Sequence, residues 1–251
     1  MVSLYDETRI FDAECFRAVL DALIERFPPQ YFPHLFEPGV GNGRIAMPLA
    51  ESGYRVTGAD ISAAMLHDGA RRAPRLPVAW HRADAARLPY ADTAFDLAVA
   101  THLFYFIRDW QQTADEVLRV VRPGGAVILM HTGTGAEIPV FNARYKALCA
   151  EMGHPIPTIG VESTREVVDY YASRGCEIEW WRDRWTWTVH IRLDVALRYI
   201  EKRAYSFTTF APEAVHKAVV DRLRLELREE YGSRKEQMDV PNQIYMVIVS
   251  R

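Results

Sequence analysis

The chain has 251 residues, 49% of them hydrophobic and 25% charged, with a formal net charge of -3. That is enough apolar material for one sizeable core, and the charge balance offers neither a basic nucleic-acid surface nor a membrane-surface patch. Cys15, Cys149 and Cys176 are scattered without metal-ligand spacing, which argues against a disulfide framework and a zinc site and fits a reducing compartment.

After Asp12, the residues Phe16, Val19, Leu20, Leu23 and Phe27 recur at helical spacing until Pro28-Pro29, which predicts an N-terminal helix outside the first strand. Tyr31 to Phe36 reads as a short buried strand that runs through Glu37 into Pro38-Gly39-Val40-Gly41-Asn42-Gly43. Glycine at 39, 41 and 43 lets the chain take positive φ and lets a ligand approach the main chain closely. Arg44 to Ser52 then reads as a helix closed by Gly53, and strand, glycine turn, helix is a nucleotide-binding arrangement. A second strand runs from Tyr54 to Asp60, and Ser62 caps a helix to about Ala73. A third covers Val78 to Arg82, before Asp84; a fourth covers Phe95 to Ala100, followed by a helix that Asp109 caps and that runs to Val121. Pro123-Gly124-Gly125 turns into a fifth strand, Ala126 to Met130. This alternation argues for a parallel sheet with helices on both faces.

The second half changes character. Ser163-Thr164-Arg165-Glu166 has the form of a capping box, followed by Val167, Val168, Tyr171 and the stop Gly175. Glu177 to Val189 reads as a long strand whose Trp180, Trp181, Trp185 and Trp187 belong first to the sheet core, and Ile244 to Val249 is the last strand. Two helical stretches lie between them; in the later one Val215, Val219, Leu223, Leu227 and Tyr231 recur every fourth residue. A single domain is expected, with a core at about 31–190 and 241–251 and a helical insertion at about 191–235. The insertion is too long for a hairpin loop, and a lid, a dimer surface and plain packing all remain open.

The strings EPGVGNGR from Glu37, YRVTGADISAAML from Tyr54, HRADAARLPYADTAFDLAVA from His81 and LRVVRPGGAVIL from Leu118 together resemble the class I S-adenosylmethionine-dependent methyltransferases, in the small-molecule branch called type 11. The resemblance implies an α/β fold: a Rossmann-like, doubly wound, mostly parallel seven-stranded sheet with an antiparallel last strand. It also implies S-adenosylmethionine as cofactor. The N–H groups of Gly39, Gly41 and Gly43 and the helix N-terminus would receive its carboxylate. Glu37 would meet its amino group, and Asp60 its ribose hydroxyls. Ile61 would cover the adenine, with Asp84 and the Ala85 N–H at its edge; Thr101 and His102 would line the methionine end, and Tyr5 would close over the ligand. For Asp60 and Asp84 the competing reading is turn or helix capping.

Methyl transfer from a sulfonium needs alignment of the nucleophile and, for some acceptors, removal of a proton. His102, His131 and Tyr105, near the ends of strands four and five, are the candidates for base or substrate anchor, against a plain pocket-wall role; no metal is called for. Thr101-His102-Leu103-Phe104 differs from the D/N-P-P-Y pattern of exocyclic-nitrogen methylation, and a Pro-Cys nucleophile pair is missing, so DNA is disfavoured. The aromatics Phe104, Tyr105, Phe106, Tyr199, Tyr205, Phe207 and Phe210 favour a small, partly apolar acceptor, with the protein a monomer or homodimer free of nucleic acid and membrane. The start of the chain has no basic and apolar leader, and no stretch approaches about 18 uninterrupted apolar residues, so a cytoplasmic location is expected. Two rivals stay open. An NAD(P)-dependent oxidoreductase would need G-x-G-x-x-G, and here the third glycine comes one place early; a non-catalytic S-adenosylmethionine-binding protein is the other.

Overall fold

The computed structural model describes residues 12–132, 139–231 and 237–251. In chain order the elements are α1 (Ala13–Arg26), β1 (His34–Pro38), α2 (Ala46–Glu51), β2 (Arg55–Asp60), α3 (Ala63–Arg72), β3 (Val78–Arg82), β4 (Phe95–Thr101), α4 (Trp110–Val120) and β5 (Val121–Thr132). There follow α5 (Pro139–Glu151), α6 (Thr164–Ser173), β6 (Glu177–Arg192), α7 (Leu193–Glu201), α8 (Glu213–Tyr231) and β7 (Gln237–Ser250), with short 3-10 turns at Leu103–Phe106 and Ser206–Phe210.

The strands form one sheet in the order β3-β2-β1-β4-β5-β7-β6. The pairs from β3 to β5 are parallel, and β7 runs antiparallel to β5. This is the seven-stranded, mostly parallel sheet with an antiparallel last strand that the resemblance implied. Parallel strands covered on both faces read as continuous apolar runs, and β4 buries four consecutive residues, Leu97 to Ala100. The strand order reverses between β1 and β4, so the carboxyl ends of the parallel strands flank a crevice at that switch point.

Local chemistry sets the element ends. Ser62 Oγ accepts the Met65 N–H at 3.4 Å and starts α3. At α6, Glu166 Oε1 accepts the N–H of Ser163 and of Glu162, both at 2.9 Å, completing a capping box. Asp109 differs from expectation: it is the N-cap residue of α4, and its carbonyl accepts the first helical bond from Thr113 N–H at 3.1 Å, but its side chain accepts no capping bond. Helix α2 is shorter than the sequence suggests, because Gly43 to Ile45 are still completing the glycine turn. Helix α5 was not foreseen.

The chain divides into two compact units. Among the described residues the first comprises 13–132, 158–185 and 244–251. Its core runs through Phe36, Ala98, Val127 and Val247 of the sheet and Val117 and Val168 of α4 and α6. The second comprises 139–157, 186–231 and 237–243 and centres on α5, α7 and α8, whose Tyr145, Leu193, Ile200 and Val219 are buried. In it, His216 Nε2–H donates to the Glu201 carbonyl at 3.1 Å, which leaves Nδ1 to accept the Tyr145 hydroxyl at 2.7 Å. Val219, Leu223 and Leu227 form the buried stripe of α8 that the four-residue repeat predicts. No helix among the described residues is long and apolar enough to cross a membrane.

Candidate active site

The carboxyl edge of the sheet gathers Glu37 from β1, Asp60 from β2, Thr101 from β4 and His131 from β5. Gly39, Gly41 and Gly43 take φ of +71°, +56° and +85°. A Cβ at residue 43 would run into the ring of Trp80 and lie 3.1 Å from Met47 Cε, so this turn is shaped for glycine by packing as well as by φ. The amide expectation needs correction. Gly39 N–H donates to the Ala59 carbonyl at 2.7 Å, Gly43 N–H to the Val40 carbonyl at 2.9 Å and Gly41 N–H to Asp60 Oδ2 at 2.9 Å. The first and third of these bonds fasten the turn to the end of β2 and the second closes the turn on itself, so what the glycines offer a ligand is bare main chain.

Glu37 lies under this turn, only 3% exposed. Its Oε2 has no hydrogen-bond partner among the described residues. Burial pushes its carboxyl well above the usual range; the Arg44 charge and a bond from the Ala46 N–H act in the opposite direction and are outweighed. Thr101 Oγ1 is likewise buried without a partner among the described residues. A buried acceptor left unsatisfied costs about 1–3 kcal/mol, more when charged, so such groups at a crevice mark what a ligand completes.

Asp60 does the capping work that the rival reading assigned it: Oδ1 accepts the Ser62 N–H at 2.8 Å and Oδ2 the Gly41 N–H. A carboxylate has about four acceptor sites, so each oxygen keeps capacity for a hydroxyl. Asp84 Oδ1 accepts the Ala86 N–H at 2.9 Å, which sets the turn carrying Ala85. Arg119 anchors the segment that follows, donating to the Leu88 and Tyr90 carbonyls and pairing with Glu116. Ile61 is 68% exposed beside Asp60, a large apolar side chain that no described residue covers.

A second part of the site lies between the ends of β4 and β5. His102 leaves β4 with φ +54°, a left-handed conformation that is uncommon outside glycine. The carbonyl oxygen, hydroxyl and N–H of Thr132 lie 3.0, 2.9 and 3.2 Å from its Nε2, which binds the imidazole to β5. His131 meets His102 edge to face at a centroid distance of 4.7 Å, and its buried Nδ1 has no partner among the described residues. Burial lowers the His131 pKa to about 4, so the ring is neutral at physiological pH. Tyr105 OH lies 3.1 Å from Thr164 Oγ1, which lies 3.0 Å from Tyr245 OH. The cavity bounded by these β4 and β5 ends holds about 290 Å³ of space, part of it open to solvent.

The 158–163 loop closes one side of this cavity by main-chain bonds. Gly160 N–H donates to the Tyr105 carbonyl at 3.2 Å and Val161 N–H to the Phe104 carbonyl at 3.1 Å. A Cβ at residue 160 would collide with the Phe104 carbonyl. Sequence reasoning did not find Thr132, Thr164 or Tyr245 as neighbours of the two histidines. Thr164 stood out only as part of a capping box.

Residues 36–129 match the protein family described as a methyltransferase domain. A demethylmenaquinone methyltransferase of Beutenbergia cavernae is 33% identical over 154 residues, 61% of this chain and 61% of that protein. A malonyl-[acyl-carrier protein] O-methyltransferase of Enterobacter lignolyticus is 29% identical over 132 residues, 53% of this chain and 51% of its own length. The chain therefore spans between half and two thirds of these curated relatives. The YcgJ protein from Bacillus subtilis superposes on 94% of this chain and 99% of its own with a TM-score of 0.62 at 16% identity, a likeness of fold. Over residues 36–129 this chain is thus similar to the methyltransferase-domain family, and it shares the fold of that solved structure.

The cofactor that the sequence resemblance implies is S-adenosylmethionine, and the residues of the crevice fit it. Glu37 Oε2 is a buried acceptor in want of an ammonium, Ile61 is an uncovered apolar surface for a purine, and the glycine turn between them exposes main chain. Tyr5, the expected closing residue, lies outside the described residues.

Proposed function

We propose that this chain transfers the methyl group of S-adenosylmethionine to a small, partly apolar metabolite. The observation that carries the reading is the unpartnered carboxylate oxygen of Glu37, buried beneath the glycine turn at the switch point of the sheet. When bound, S-adenosylmethionine supplies a methyl group already activated on a sulfonium for in-line displacement.

The chain's own residues have the remaining work. Glu37 accepts from the ammonium of the ligand, and Thr101 Oγ1 finds its partner at the same end. Asp60 uses the free capacity of its two oxygens for the ribose hydroxyls while continuing to cap the turn. Ile61 covers one adenine face, with Asp84 and Ala85 at its edge. Alignment of the acceptor supplies about 7–11 kcal/mol, and a positioned base about 100- to 10,000-fold. His102 is held by Thr132 and positions the end of β4, whereas His131, with Nδ1 unengaged, is the group placed to take a proton.

Calorimetry with S-adenosylhomocysteine and with NAD(H), followed by a labelled-methyl screen of small acceptors, tests this. Tight S-adenosylhomocysteine binding and label in an apolar product are expected. Dinucleotide binding alone would refute the cofactor assignment, and cofactor binding with no label transferred across the screen would favour a non-catalytic binder.

A further inference from the structure

We propose that Trp80 is a positioning residue for the glycine turn: its indole is wedged between Gly43 of the turn and Gly69 of α3, and the fit of that one ring sets how tightly S-adenosylmethionine is held. The proposal deepens the cofactor reading and rests on it for the identity of the ligand.

Two missing Cβ atoms make the slot. A Cβ on Gly43 would run into Trp80 Cη2, and a Cβ on Gly69 would lie 2.5 Å from the same atom and 2.6 Å from Cζ3. One edge of the indole therefore touches the main chain of both elements. Gly69 stands inside α3, where glycine is a poorer helix former than every residue but proline. That helical cost is offset by what the bare Cα admits, the Trp80 ring and, 3.0 Å from where the Cβ would be, the Asn42 carbonyl.

The turn is thereby attached to α3 at two points. At Gly41 the link is Asp60, whose Oδ2 accepts the Gly41 N–H while Oδ1 accepts the N–H of Ser62 at the start of α3. At Gly43 the main chain offers no such link: the N–H donates to the Val40 carbonyl and the carbonyl accepts the Met47 N–H, both bonds staying within the turn and α2. The indole is what sets Gly43 against α3. Asn42, between the two points, is buried, and its Nδ2 donates to Asp68 Oδ2 at 3.5 Å. A ligand that approaches bare main chain is sensitive to where that chain lies, and a misplacement of about 1 Å in a positioned site costs up to about 100-fold. Trp80 acts on the ligand through this placement.

The test uses the full chain, labelled with 15N in its six tryptophan indoles and titrated with S-adenosylhomocysteine at a temperature where circular dichroism shows each variant folded. In the parent, the Trp80 indole cross-peak, assigned by its loss in Trp80→Phe, should move on binding. Trp80→Phe leaves part of the slot empty and should weaken binding at least threefold. Gly69→Ala drives the indole onto Gly43 and should weaken it at least tenfold. With both changes the smaller ring makes room for the methyl group, so the combined loss should fall short of the product of the two. A residue that only supports the fold would lower the thermal midpoint and leave the affinity of the folded chain alone. Smaller losses than these in either folded variant, losses that multiply in the double variant, or a Trp80 cross-peak that S-adenosylhomocysteine leaves in place would each overturn the proposal. If Gly69→Ala does not fold, Trp80→Phe and the cross-peak decide it. Failure of S-adenosylhomocysteine to bind the parent would instead refute the cofactor reading, and this role of Trp80 would fall with it.

Discussion

His131 lies flat against Tyr245, ring centroids 4.6 Å apart and planes 13° from parallel. The two are direct cross-strand partners in the antiparallel pairing of β5 with β7. Such pairs are the unit of sheet stabilisation, and this one also carries a polar tip, since the Tyr245 hydroxyl reaches Thr164 at the start of α6. Removing the tip and removing the ring should therefore have separable effects. Tyr245→Phe keeps the stack, loses one hydrogen bond and should cost about 0.5–1.5 kcal/mol, whereas Tyr245→Ala should cost about 3–5 kcal/mol. Thermal unfolding distinguishes them, at about 2–4 °C per kcal/mol for a chain of this size. Equal losses in the two variants would mean the ring contributes nothing beyond its hydroxyl.

His131 also makes stability depend on pH. Its folded pKa is about 4, below the ordinary 6.5, because burial disfavours the charged ring. Between those values the unfolded chain binds more protons than the folded one, so stability rises with pH. The contribution is complete above about 6.5 and is lost as pH falls towards 4, on the order of 2–3 kcal/mol in all. Urea midpoints from pH 7 down to 4.5 should fall more steeply for the parent than for His131→Gln. Parallel curves would show that the ring titrates normally.

Glu37 acts in the opposite direction. Its folded pKa is raised, so the folded state retains a proton that the unfolded state has lost, and stability falls as pH rises above the ordinary carboxylate range. Glu37→Gln removes this loss and should be more stable than the parent at pH 7, with the difference closing near pH 4. The same variant should bind S-adenosylhomocysteine at least tenfold more weakly, since the ammonium loses its carboxylate. Undiminished affinity in Glu37→Gln would remove this residue from the ligand site.

Gly43→Ala combines a positive φ with a collision against Trp80. It should destabilise by about 1–3 kcal/mol. Trp80→Leu in the same chain should recover part of that loss, because it clears the collision and leaves the backbone strain. A double-mutant cycle on urea midpoints gives the coupling; strict additivity would place the whole cost in φ.

The strands and the acids at their ends were legible because each signal is local. An apolar run with Glu37, Asp60 or Asp84 at or just beyond its carboxyl end needs no distant partner to be recognised, and the order of the four strings identifies the sheet. What the glycine amides do was not legible. Whether Gly41 N–H meets a ligand or Asp60 depends on how tightly the turn closes on β2, a tertiary matter. The cavity was half visible: His102 and His131 follow strands, but Thr164 and Tyr245 lie 81 residues apart and meet only when α6 and β7 are both in place. Helix α5 escaped because its apolar residues do not keep to one stripe. Phe141 is buried while its neighbour Val140 is 54% exposed. Asp109 was misjudged by residue type: it stands at the N-cap position, but its carboxylate accepts no N–H of the first turn.

Gly160 and Val161 are joined to the 103–106 turn through backbone atoms alone. Inheritance can therefore act differently on the two layers of the cavity. Side chains at 103, 105 and 164 can change without breaking these two backbone bonds, while any side chain at position 160 meets the Phe104 carbonyl. In a saturation library selected for folded protein, residue 160 should stay glycine, while positions 103, 105 and 164 should accept a wider range of side chains.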